Sequence, residues 1–405
     1  MTAALEGVRV LEVSGGAALP PSGAVALAYG GALLAGLGAQ VTKLEPVAGD
    51  WGRRSGPFPG DRPQRDHAGQ FWYLNASKRS AALDLGTATG RALLGRMIAR
   101  CDLVLHDAAP ADAATVGLHP ESIAEANADV VQVAVTPFGQ AGPYRDWLAT
   151  DLEQQALSGL LDLTGEPDRE PLRIGAPVSE YAAGQIAALS ALTALHAARE
   201  SGEGGGEVVD VAVLEAAASI MEHSMAIYQY RGIVRRRSGN WGGLSAWGIY
   251  PCKDGFVGVV SGLGETYQRF RRLIGGVLLE EGFETIVART QLASEMDAAI
   301  MAWLSDKTKD EVFHAAQREK IPFSALATSA DVAMSAQLQA RGYLEPQRMP
   351  DHEGVVMPGA PFLIDGDSWR REPAPRLGEH TSEVLGELGL EKRTILRLVR
   401  AGVAR

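Results

Sequence analysis

Along the first half of the chain, short β-branched runs alternate with stretches whose apolar residues recur at helical spacing. Val8–Val13 (VRVLEV) has strand character, Ala26–Leu37 predicts a helix of small residues, and Gln40–Leu44 predicts the next strand. After a connection rich in Gly, Pro and Arg, Ser80–Leu85 reads as extended and Gly90–Ala99 as a helix. Asp102–Leu105 and Asp129–Val135 follow as strands, the second an almost unbroken apolar run. A strand covered on both faces has no solvent side on which to place polar residues. Such strands alternating with helices imply a parallel sheet flanked by helices, so this region predicts a Rossmann-like α/β domain.

The glycine-rich stretch Ser201–Glu207 (SGEGGGE) cannot continue a helix and marks a turn. Beyond it the pattern predicts a strand over Val208–Val213 and a helix from about Leu214 to Ile227. A basic cluster, Arg231–Arg237, precedes the segment Gly239-Asn240-Trp241-Gly242-Gly243. Ile249–Val260 reads as a hairpin with Lys253-Asp254-Gly255 at its turn, and amphipathic helices run on to about residue 320. This stretch predicts a smaller α+β domain. A Pro-rich piece, Pro373–Pro375, and a charged helix after Thr381 complete the pattern.

Composition narrows the class. The 405 residues are 46% hydrophobic and 21% charged, an ordinary globular balance, and long enough for more than one core. A net charge of −11 repels nucleic acid and anionic membranes, so neither is expected as a partner. Two cysteines, Cys101 and Cys252, imply no disulfide framework and fit a reducing compartment. Glu6, Arg9 and Glu12 interrupt the first residues, which argues against a secretory signal. The uncharged runs Val25–Val41 and Tyr181–Ala198 are rich in small residues and read as tightly packed helices rather than membrane spans. A cytoplasmic, soluble protein is the expectation.

The candidate chemistry is sparse. Eight scattered histidines and no cysteine cluster form no metal signature, so no metal is expected. No G-x-S-x-G elbow or Walker A sequence occurs, and the glycines at 30, 31, 36 and 38 do not form a dinucleotide fingerprint. Glu180 lies in Gly175-Ala176-Pro177-Val178-Ser179-Glu180-Tyr181-Ala182-Ala183-Gly184, at the head of a long apolar helix. Residue type and position alone favour a helix-start acid, with a reactive carboxylate as the alternative. Asp151 reads likewise as the N-cap of a helix over Asp151–Leu161. Gly242-Gly243 reads as a plain turn or as a mobile lid whose amides approach a ligand. In Asn75-Ala76-Ser77-Lys78-Arg79 two cations are either solvated surface or contacts for phosphates.

Taken together and in order, these segments resemble the family III CoA-transferases, the group of formyl-CoA and carnitine CoA-transferases and α-methylacyl-CoA racemases. The resemblance runs from Leu5–Glu12 (LEGVRVLE) and Leu37–Pro46 (LGAQVTKLEP) through Leu74-Asn75, Lys78–Ser80 and Leu83–Leu85. Phe138–Tyr144 (FGQAGPY), Leu163–Gly165, Pro251–Gly255 and Leu377–Thr381 (LGEHT) follow at fitting separations. It implies a Rossmann-like large domain built from both chain ends, residues 1–225 and 330–405, and a small α+β domain, residues 226–329. It also implies an interlocked dimer, and acyl-CoA and a carboxylic acid as substrates.

In this group an aspartate in a P-x-x-D-x-x-x-G-like context attacks the acyl-CoA thioester, and Glu180 stands at the matching position. Glutamate carries the same nucleophile one methylene further from the backbone. The resemblance sets Gly242 and Gly243 at the glycine lid, and Asn75, Lys78, Arg79, Asp107 and Thr150 at CoA contacts. The chain departs from the pattern around Ala17–Gly23, at Leu27-Ala28 in place of Gly-Pro, and at His106–Pro110 in place of an Arg-Pro-Gly-like segment. An arginine used by some members against CoA phosphates falls near Thr115, and the histidine of the racemases falls at Thr150. CoA transfer through a glutamyl intermediate is the leading expectation. The alternatives are an auxiliary subunit paired with a homologous chain and a racemase or isomerase using Glu180 as base.

Overall fold

The structure is a computed structural model that describes residues 3–14, 23–201, 205–240, 245–285, 287–349, 352–364 and 369–405. The chain opens with β1 (Arg9–Val13), α1 (Ala24–Gly36), β2 (Gln40–Glu45), α2 (Gly69–Asn75), β3 (Arg79–Ala82) and α3 (Ala88–Ile98). It continues with β4 (Leu103–His106), α4 (Pro110–Val116), α5 (Pro120–Ala126), β5 (Val131–Thr136), α6 (Asp151–Leu157) and α7 (Leu160–Leu163). Then come the long α8 (Val178–Ser201), β6 (Val208–Ala212), α9 (Val213–Ser219) and α10 (Glu222–Arg231). Two compact units result: Met1–Leu160, Arg173–Gly232 and Gln339–Arg405 form the first, Leu161–Leu172 and Ile233–Leu338 the second.

The first unit is built on a six-stranded sheet in the order β3-β2-β1-β4-β5-β6, every neighbouring pair parallel. Strand order reverses between β1 and β4, and the carboxyl ends flanking such a reversal leave a crevice open for a ligand. Both faces are covered. On one, Val10, Val41, Leu103 and Val133 pack with Leu27 and Leu34 of α1 and Ala187 of α8. On the other, Leu11, Leu44 and Val104 pack with Leu93 and Met97 of α3 and Ile123 of α5, and with Leu385 and Ile395 from the end of the chain. This double cover is why every residue of β5, Gln132 and Thr136 included, is buried.

Helices α1 and α8 meet through small residues. A Cβ at Gly184 would lie 2.7 Å from the Ala26 carbonyl oxygen, and one at Gly30 would lie 3.2 Å from that of Gly184. The backbones are therefore close enough that only glycine fits at 184 without a shift of α1.

Three predicted elements end earlier than the pattern suggested. The helix over Leu214–Ile227 is two helices, because the Ile220 and Met221 amides turn back onto the Ala217 and Ala218 carbonyls and close α9 with a tight last turn. The helix over Asp151–Leu161 breaks at Gly159, whose φ is +90°. The strand begun at Arg79 stops at Ala82 because Leu83 bridges Ala404 and the Asp84 amide donates to Val403, near the chain end.

In the second unit, β7 (Trp247–Cys252) and β8 (Gly255–Val260) pair antiparallel as the predicted hairpin, with Lys253 and Asp254 at the turn. β9 (Ser324–Ala325) adds to β8. Helices α11 (Gly264–Ile274), α12 (Ala288–Gln291), α13 (Ala293–Leu304), α14 (Lys309–Arg318), α15 (Ser329–Ala333) and α16 (Ala336–Ala340) complete the order. Their core holds Tyr250, Val257, Phe270, Met296, Leu304 and Phe323. The chain then forms an antiparallel pair, β10 (Leu344–Met349) and β11 (His352–Pro358), and ends in α17 (Thr381–Glu387) and α18 (Lys392–Arg400). Among the described residues, no helix is long and apolar enough to cross a membrane.

Candidate active site

Helix α1 begins at Gly23 without a side-chain cap of its own and without an acid in its first turn. Its unpaired amides are met by a side chain from far along the chain. Glu180, in the first turn of α8, accepts from the Gly23 amide through Oε1 and from the Ala26 amide through Oε2, both at 3.0 Å. The carboxylate thus sits at the positive end of one helix while belonging to the start of another. It is 4% exposed. Burial raises its pKa to about 7 against the pull of the Ala26 and Gly23 amides, and the charge of Asp151 adds to the rise. A Cβ on Gly23 would stand 2.7 Å from the Val135 carbonyl oxygen, so the bare glycine seats this constellation against the carboxyl end of β5.

Asp151 is a second buried carboxylate, supplied by α6. It is not the N-cap of its own helix. Thr150 takes that place, its amide donating to Glu153 at 2.8 Å and its hydroxyl bonding the same carboxylate. Asp151 is freed to accept from the Ser179 amide at 3.2 Å, at the head of α8, and from Gln155 Nε2 at 2.6 Å. Gln155 Oε1 in turn accepts from the Ile174 amide, and Gln154 Nε2 donates to the Pro137 carbonyl. These bonds tie α6 to Ile174 and Ser179 at the approach to α8 and to Pro137 just past β5.

Asn75, Lys78 and Arg79 are brought together at the entry to β3, but they face different partners. Lys78 Nζ is buried and donates to Glu12 Oε2 at 2.6 Å, the Ala28 carbonyl at 2.7 Å and Asn75 Oδ1 at 3.0 Å. Glu12 also binds Lys43, which reaches Asp50 at 3.1 Å. Burial pushes Lys78 down to about 8 against the attraction of Glu12. Burial opposes the charge of Lys43 too, yet the carboxylates of Asp50, Glu12 and Glu45 hold its pKa well above the ordinary value. A Cβ on Gly31 would fall 1.9 Å from Glu12 Oε2, so α1 lies directly on this ion cluster. Arg79 points to Glu387 at 2.9 Å and Glu383 at 3.5 Å on α17.

At the strand-order reversal lies a cavity of about 570 Å³. Its walls come from the carboxyl ends of the first strands and the loops after them, including Val13, Leu44, Leu83 and Pro137, with Thr115 and Leu118 from and after α4. Asp107 is part of this lining; Asn75, Lys78, Arg79, Thr150 and Glu180 are not. The connection to Glu180 runs through β5: Gly23 rests on Val135, and Pro137, two residues on, lines the cavity. Gly242 and Gly243 lie outside the described residues. Among the described residues, no group of His, Cys, Asp or Glu is disposed to hold a metal ion.

The family model for CoA-transferase family III matches residues 5–381. The chain belongs to that family. It is 31% identical over 399 residues to a succinyl-CoA–D-citramalate CoA-transferase of Chloroflexus aurantiacus, covering 95% of this chain and 94% of that protein. A succinate–glutarate CoA-transferase of Agrobacterium fabrum is 30% identical over 399 residues, covering 96% and 97%. Among solved structures, a CAIB/BAIF family protein from Brucella suis superposes with a TM-score of 0.81 at 26% identity, over 96% of this chain and 100% of that one. The fold is shared as well with Rv3272 of Mycobacterium tuberculosis, at a TM-score of 0.78 and 21% identity, over 94% and 99%.

In this CoA-transferase, the position of Asp151 at a helix start does not by itself reveal that its charge acts on Glu180. The available signal was a carboxylate followed by two glutamines, Gln154 and Gln155, in a short helix. Both glutamines are fully buried, and buried amides require bonding partners.

Proposed function

We propose that this chain moves CoA from an acyl-CoA thioester to a carboxylic acid, with Glu180 as the covalent carrier. The observation that carries the reading is a buried carboxylate with a pKa near 7, held on two backbone amides beside the strand end that opens into the cavity. At neutral pH a large share of Glu180 is ionised and weakly solvated, the state in which a carboxylate attacks a carbonyl most readily.

Attack of a Glu180 oxygen on the thioester carbonyl expels CoA thiolate and leaves a mixed acyl–glutamyl anhydride. The thiolate then attacks the glutamyl carbonyl, releasing the donor acid and leaving a glutamyl–CoA thioester. The acceptor carboxylate attacks that thioester, forming a second anhydride and freeing the thiolate again. Thiolate attack on the acceptor's acyl carbon completes the new acyl-CoA and regenerates Glu180. Negative charge that builds on the glutamyl oxygens is met by the Gly23 and Ala26 amides; losing one such donor typically costs ~3 kcal/mol in other acyl-transfer enzymes. Anhydrides hydrolyse, so the site has to exclude water during turnover. The cavity suits the nucleotide end of CoA, with Asp107 as its buried polar contact.

A second chain completes the proposal. Helix α10 buries none of its residues, yet it carries Met225 and Tyr228, and Tyr230 is 89% exposed. Leu189 of α8 is likewise open to solvent. Such apolar surface favours a partner, either a second copy in an interlocked dimer or a homologous chain. Relatives named as subunits, such as BbsE of Thauera aromatica, keep the second arrangement in view.

The test uses succinyl-CoA, the donor named for similar enzymes, with a series of carboxylic acids. Hydroxylamine or borohydride trapping during turnover should modify Glu180, and Glu180→Gln should lose transfer while retaining CoA binding. Turnover with an unmodified Glu180 would falsify the assignment. Solvent deuterium entering the α-carbon of the acyl group without an acceptor acid would point to isomerisation instead.

A further inference from the structure

The loop from β5 to α6, residues 137–150, carries three aromatic rings in a row, and the last of them overlooks the cavity. Phe138 meets Tyr144 edge-on with centroids 5.8 Å apart, and Tyr144 stacks on Trp147 at 4.2 Å with 25° between the planes. The Trp147 amide donates to the Tyr144 carbonyl at 2.8 Å, a turn that lays one ring over the other. Stacking covers one face of the indole. Trp147 is nonetheless 58% exposed, and it lines the cavity beside Leu148, which is 81% exposed.

The loop is tied down on both sides of this stack. Ahead of it, the Gln140 amide donates to Asp210 Oδ2 on β6 at 2.8 Å. Next to Trp147, Asp146 Oδ1 accepts from the Ala111 amide at 3.2 Å, in the first turn of α4. Helix α4 also gives Asp112, Thr115 and Val116 to the cavity, so the ring is anchored to one of the walls it faces. Among the other walls, Val13, Leu44, Leu83 and Leu118 are apolar. A large apolar ring left in water at such a rim favours a ligand that covers it, and a ring already held by a neighbour loses little freedom on binding.

We infer that Trp147 is a binding residue for the nucleotide of CoA, its uncovered face stacking on the adenine ring; this rests on CoA being the substrate. The purine extends the Tyr144–Trp147 stack by a third ring. Aromatic pairs favour offset stacking, and a base presents a π-face of the same kind as the indole. The pantetheine arm has no ring, so this contact concerns the nucleotide end of the cofactor alone.

Calorimetric titration of the full-length chain with CoA, and with adenosine 3′,5′-bisphosphate as a nucleotide lacking the pantetheine arm, tests this in the wild type, Trp147→Ala and Trp147→Phe. Trp147→Ala should raise the dissociation constant for both ligands about tenfold, the scale of one base–aromatic stack, and Trp147→Phe should stay within about threefold of the wild type. The bisphosphate should quench tryptophan emission in the wild type. In Trp147→Phe that quenching should be lost while calorimetry still records binding, a separation that a misfolded variant would not show. Unchanged CoA affinity in Trp147→Ala overturns the inference and leaves the CoA-transferase reading intact, as does quenching that survives in Trp147→Phe. A change in sedimentation of Trp147→Ala without a change in CoA affinity assigns the ring to a subunit contact and overturns it too. Failure of CoA to bind the wild type at millimolar concentration overturns both readings.

Discussion

Ionising Glu180 works against the fold, and that cost can be read from stability alone. An unperturbed glutamate titrates near 4.5; here burial, with a smaller contribution from Asp151, raises the value to about 7 despite the Ala26 and Gly23 amides. The folded chain therefore binds this proton more tightly than the unfolded chain. The resulting stabilisation is complete below the unfolded value and is lost as pH climbs through about 7. A gap of about 2.5 in pKa corresponds to roughly 3 kcal/mol, of which about 2 to 3 kcal/mol disappears between pH 5 and pH 8.

Glu180→Gln abolishes the titration. Its amide nitrogen would face one of the two donors that Glu180 now accepts, leaving that N–H unpaired at a cost of about 1–3 kcal/mol. The variant should accordingly be the less stable protein at pH 5, and the difference should close or invert by pH 8. Urea unfolding at pH 5, 6, 7 and 8, followed by the fluorescence of the seven tryptophans, measures both curves. Two curves that stay parallel within about 0.5 kcal/mol across this range would refute the reasoning, since no other group differs between the proteins.

Asp151→Asn removes the neighbouring charge while keeping an acceptor for the Ser179 amide, so the acidic limb of kcat/KM against pH should move to lower pH. An unmoved limb would mean that Asp151 does not act on Glu180. Lys78→Met leaves Glu12 buried with Lys43 as its remaining ammonium partner and should cost about 3–5 kcal/mol in denaturant unfolding. A variant of near-native stability would remove Lys78 from the ion cluster and return it to consideration as a phosphate contact.

Much of the architecture is legible in one dimension. The run Val131–Thr136 has no solvent face, so its nearly unbroken apolar pattern announces a central strand. The hairpin around Lys253-Asp254 is written in its own residues, because turn and strands interact within a few positions. The pair β10 and β11 left no comparable trace: Pro346 and Arg348 interrupt its first strand, and its alternation is weak. Lys78 beside Arg79 looks like a solvated basic pair, yet its ammonium is enclosed by groups from β1, α1 and α2.

The amino-acid order was sufficient to put a carboxylate at the start of a long apolar helix, since helix onset depends on nearest neighbours. Its chemistry was settled elsewhere. The amides that hold Glu180 belong to α1, more than 150 residues earlier, and reach it because Gly30 and Gly184 let two helices approach closely. The neighbouring charge of Asp151 arrives on a third helix, and the desolvation comes from packing the three together. Proton affinity in a protein interior reflects everything within a few ångströms, and only tertiary structure decides what that is.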